Sequence, residues 1–87
     1  EYERGIRRCV LEERIPINGN TSMETLVLSN NCWTHNEFEC TIINGDRIVF
    51  RNIIIKPGES FRKDLPKDCR IVVRKKPAQR GDSRTRQ

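Results

Sequence analysis

Eighty-seven residues, 34% hydrophobic and 33% charged, make one small domain whose core is marginal unless something staples it. No run of about 18 apolar residues is present to span a membrane as a helix. The net charge of +5 belongs to the last fourteen residues, where six basic side chains stand against Asp82; residues 1–73 are neutral, so the folded part lacks the basic footprint of a nucleic-acid reading surface.

In chain order, "GIRRCVLEERIPI" comes first. Ile6, Val10 and Glu13 fall at helical spacing, but Cys9-Val10-Leu11 and Ile15-Pro16-Ile17 suit a strand. A strand is favoured, because a lone helix would carry Arg7, Arg8, Glu12 and Glu13 around much of its circumference. "NGNTS" reads as a loop, and its Asn20-Thr21-Ser22 is an acceptor pattern for N-glycosylation in a eukaryotic secretory pathway. "TLVLSNN" is a short strand, predicted at a sheet edge. "FECTII" places Phe38, Cys40 and Ile42 on one face, and Asn44-Gly45 after it signals a type I′ hairpin turn. "DRIVFRNIII" is a long strand predicted to be central, with a bend or bulge at Asn52. Lys56-Pro57-Gly58-Glu59 fits a type II turn. "SFRKDL", a turn at Pro66-Lys67-Asp68, and "CRIVVRK" with Cys69, Ile71 and Val73 on one face complete the series.

Strands at intervals of roughly ten residues, joined by turn chemistry, predict an all-β fold: a small antiparallel β-sandwich of about six strands over residues 1–76. Residues 77–87 are too polar and basic to offset their ordering entropy and are expected to be a disordered tail. Arg80-Gly81-Asp82 in that tail matches an integrin-recognition tripeptide, but three residues in a charged tail are most simply a solvated segment.

"CWTHNEFEC" holds two of the four cysteines, the one histidine and the one tryptophan. As a zinc site it would offer Cys32, His35 and Cys40, but this spacing lacks the tight ligand pairs of structural zinc sites. A redox pair would want C-x-x-C. The remaining reading is a disulfide staple: Cys32–Cys40 across the neck of a hairpin whose loop is 33–39, and Cys9–Cys69 joining the first and last strands. Disulfides imply export. A chain opening at Glu1 is then expected to be a mature form that has lost its signal peptide, or a shortened version of it. No nucleophile–base, paired-carboxylate or phosphate-loop signature is present, so the expectation is a non-enzymatic protein with no cofactor and no metal. Its expected binding region is 24–38, with Glu24 and His35 as contacts and Trp33 read either as a partial core residue covering the hairpin or as the main anchor for a partner.

Cys9 in "RRCVLEE" and Cys69 in "KDCRIVV", within a β domain of this size, resemble the MAX effectors, the Magnaporthe avirulence and ToxB-like proteins of plant-pathogenic fungi. The closing "DLPKDCRIVVRKKP" is also similar to the end of a member of that family. The resemblance covers residues 5–77; the Cys32/Cys40 segment and the basic tail are additional to it. It implies a six-stranded sandwich, secreted by a fungus, acting at the surface of plant cells or translocated into them, and non-enzymatic; the chain is expected to be a monomer. The implied partner is a host protein such as a heavy-metal-associated domain, bound by sheet edges and surface side chains. Two other classes fit the residues: a bacterial periplasmic or secreted β-sandwich acting as inhibitor or assembly accessory, and a small basic module using its tail on nucleic acid or an anionic surface.

Overall fold

The structure, a computed structural model, describes residues 1–32 and 35–76. Six strands follow one another: β1 (Val10–Ile17), β2 (Asn20–Asn30), β3 (Phe38–Asn44), β4 (Arg47–Ile55), β5 (Ser60–Pro66) and β6 (Arg70–Lys75). They form two antiparallel three-stranded sheets, ordered β1-β2-β5 and β4-β3-β6, packed as a sandwich. The predicted fold class is the observed one. The expected tail, with Arg80-Gly81-Asp82, lies outside the described residues, as does Trp33.

Alternation builds the core. Phe38, Cys40 and Ile42 of β3 and Ile71 and Val73 of β6 point inward with Cys69, meeting Leu26 and Leu28 of β2, Ile55 of β4 and Leu65 of β5. Each fully buried aliphatic side chain contributes on the order of 1.5–3 kcal/mol. Ahead of β1, residues 4–9 form tight turns, with Cys9 N–H and Val10 N–H both donating to the Ile6 carbonyl, and these turns drop Ile6 into the core.

The turns show what local chemistry dictates. Glu59 N–H donates to the Lys56 carbonyl at 2.9 Å, and Gly58 takes the positive φ of 83° that a type II turn demands. The β3–β4 turn is displaced by one residue from expectation. Asn44 still pairs with Arg47, so Gly45 and Asp46 are the loop, and Gly45 with φ 64° holds the first central position, as in a type II′ turn. Asn18-Gly19, read as part of a longer loop, is itself a two-residue connection between Ile17 and Asn20.

Two strands exchange their expected places. β2 is central, flanked by β1 and β5, and runs for 11 residues rather than a short edge segment. Thr25, Leu26, Val27 and Leu28 are buried in succession: Leu26 and Leu28 face the core, and Thr25 and Val27 on the other face lie between the side chains of the two flanking strands. β4, expected to be central, is an edge strand. Its pairing with β3 shifts twice, between Cys40 and Ile42 and between Ile42 and Ile43, and Asn52 there adopts φ 59°. The bulge anticipated at Asn52 is present, and it breaks the regular ladder a central strand needs.

Candidate partner-binding edge and the cysteine contacts

The cysteines meet differently from the expected pairing. Val10 pairs with Asn30 and Asn31 N–H donates to the Cys9 carbonyl, so Cys9 lies beside the exit of β2. Its Sγ is 2.7 Å from Sγ of Cys32. Cys69 lies toward the other end of β1, where its carbonyl accepts from Arg14 Nη2 at 2.8 Å; Arg14 is five residues beyond Cys9, roughly 16 Å along a strand. Cys9–Cys69 is therefore not the contact this fold makes. Cys32–Cys40 fails for a topological reason. β2 and β3 belong to different sheets, so they are not a hairpin and have no neck. Cys40 instead faces Val73, four residues from Cys69, roughly 13 Å along the ladder.

All four cysteines are thiols in this structure. Burial, with Glu39 adding to it, pushes the Cys40 thiol up to about 11, and burial also raises that of Cys69. The hydrogen bond with Cys32 and partial burial raise that of Cys9. Among the described residues no group of three or more His, Cys, Asp or Glu side chains is placed to hold a metal ion.

Asn30 pins the crossover. Its fully buried side chain donates to the Ile55 carbonyl at 2.9 Å and the Asn36 carbonyl at 3.1 Å, and accepts from Cys32 N–H at 3.1 Å. Its backbone closes two more bonds, to Glu59 and Gly58. The sequence reading missed this residue, although an asparagine ending an apolar strand is a signal for such bracing.

A second polar assembly lies on the inner side of β1. Tyr2 Oη donates to Glu12 at 2.7 Å; Arg14 donates to Glu12 and Glu24 at 2.8 Å each and to the Cys69 carbonyl. Burial alone would raise the Glu12 carboxyl, but hydrogen bonds from Tyr2 and Arg14 outweigh it and hold it below its ordinary range. Burial, then the bond to Glu12, drives the Tyr2 hydroxyl far above its ordinary value. Glu12, expected on a solvated strand face, is thus part of a half-buried network. Glu24, expected to touch a partner, spends its carboxylate on Arg14 and is largely covered. His35 is exposed in the crossover.

With β2 enclosed, docking by backbone pairing at 24–30 is closed off, and the outer strands are left. The edge of β6 is covered by the first residues: Glu3 N–H donates to the Val73 carbonyl, and Val73 N–H donates to that of Glu1. β4 carries the two bulges. β5 presents consecutive exposed charges, Arg62-Lys63-Asp64. β1 pairs in unbroken register from Val10 to Pro16 and shows large exposed apolar side chains, Leu11 at 49% and Ile15 at 40%. An open groove of about 390 Å³, lined by Tyr2, Arg7, Val10, Leu11 and Glu12, borders its start.

No protein-family model matches the chain, and no curated protein or solved structure matches it either.

Proposed function

We propose that this chain is a secreted, non-enzymatic binding protein that captures another protein by adding a strand to its β1 edge. The single observation carrying this reading is the contrast among the outer strands. Two of them bear devices that discourage pairing, the cover over β6 and the bulges of β4, and β5 is exposed chiefly through charged side chains; β1, which carries Glu12-Glu13-Arg14 as well, joins an unbroken backbone register to exposed Leu11 and Ile15. The resemblance to the MAX effectors supplies the biological setting of the proposal: a virulence effector of a plant-pathogenic fungus, acting on a host protein such as a heavy-metal-associated domain. The six-stranded sandwich is compatible with that setting, and fold alone does not carry function.

The test compares edges. Plant extract is passed over immobilised wild-type chain, a Leu11→Lys/Ile15→Lys variant and an Ile48→Lys variant, and retained proteins are identified by mass. A specific partner lost by the β1 variant and kept by the β4 variant supports the reading. A partner lost only with Ile48→Lys, or kept by both, rejects it.

A further inference from the structure

The outer face of β1 also specifies what kind of strand would fit, an inference that rests on the edge reading above. Along that face stand Leu11, Glu13 and Ile15, opposite Ser29, Val27 and Thr25 of β2. Glu13 is exposed and has no ion-pair partner among the described residues. Its neighbours on the inner face differ, since Glu12 and Arg14 are bonded to each other. Residues directly opposite in a pair of antiparallel strands share a face with Cβ atoms about 4.5–5.5 Å apart, close enough for charge and apolar area to select partners.

We propose that β1 takes an extended segment whose same-face side chains run apolar, basic, apolar, with a lysine or arginine set against Glu13 between side chains that cover Leu11 and Ile15. Three features of the molecule support this occupant. Glu13 supplies a single local negative charge between two exposed apolar residues, so a cation there is attracted and a carboxylate repelled. Pro16 has no N–H to offer and closes the pairing stretch, which sets the segment at five or six residues. Pairing of β1 with the β1 of a second copy is disfavoured, because that face offers Leu11, Glu13 and Ile15 and no cation.

The experiment titrates the full isotope-labelled chain with three synthetic heptapeptides, each a threonine–valine alternation. One carries lysine at its centre, one carries glutamate there, and one has proline at every second position to abolish pairing. Chemical shifts of the amides of residues 10–16 are followed. The lysine peptide should move them and bind about fivefold or more tightly than the glutamate peptide. Glu13→Lys should reverse that order. If both non-proline peptides move the 10–16 amides with equal affinity in the wild-type chain, the edge reading stands and the charge pattern is refuted. If neither moves them, or the proline peptide does so equally, both readings fall.

Discussion

β1 and β4 are each the outer strand of a three-stranded sheet, similar in length, and each with exposed large apolar residues: Leu11 and Ile15 on one, Ile48 and Val49 on the other. They differ in backbone regularity. β1 holds one register for seven residues, and β4 loses register twice in a comparable span. Apolar exposure alone therefore does not mark a docking edge. A strand can be added only where successive backbone groups keep the spacing of a ladder, and the bulges of β4 remove that spacing while leaving its side chains exposed.

The strongest perturbation of the comparison acts where β1 begins. Oxidation with glutathione disulfide should join Cys9 to Cys32, two thiols yielding two protons and two electrons to the oxidant. The loop they close predicts a gain of roughly 3 kcal/mol for the β1 sheet. Non-reducing peptide mapping should find that bond alone, with Cys40 and Cys69 alkylated only after unfolding; recovery of Cys9–Cys69 or Cys32–Cys40 would contradict the geometry. Asn30→Ala is expected to come next. Asn30 pairs with Val10 at the start of β1 and bonds Ile55 at the end of β4, so its loss removes three side-chain hydrogen bonds that tie the two regions together, at about 2–3 kcal/mol, read from urea denaturation.

Arg14→Ala should cost about 2 kcal/mol, since it removes three charge-assisted bonds, two within the β1 sheet and one to the residue that leads into β6. The same network sets an acid limit. Because the folded Glu12 carboxyl titrates below its unfolded value, its contribution is present above about pH 4.3 and is lost as pH falls through the folded value. Glu12→Gln should flatten the acid limb of stability against pH; an unchanged limb would show that the network does not couple to folding. The smallest effect belongs to β4. Asn52→Val should cost about 1–2 kcal/mol, because a β-branched residue resists the left-handed φ that asparagine tolerates at the bulge.

The sequence made some of this legible and hid the rest, for identifiable reasons. Period-two alternation exposed the inward faces of β3 and β6, and Pro57-Gly58 fixed its turn, because these signals are local. The exchange of β2 and β4 was hidden because a strand's position depends on what lies beside it. The four-residue buried run Thr25–Leu28 was the available clue, and the many isoleucines of β4 outweighed it. Cysteine pairing failed for the same reason. The flanks of "CWTHNEFEC" look alike whether the loop between them turns back within a sheet or crosses to the other, and only the topology distinguishes these. Glu12 and Glu24 gave no warning, since their partner Arg14 lies on a strand whose inner face looked solvated.

On the proposed reading β1, and not β4, receives the partner. Amide hydrogen exchange of the full chain, alone and saturated with the partner recovered by the immobilised protein, tests it most directly. Docking at β1 should slow exchange at residues 10–16 and leave residues 47–55 unchanged; protection of 47–55 with residues 10–16 unaltered would place the partner on β4 instead.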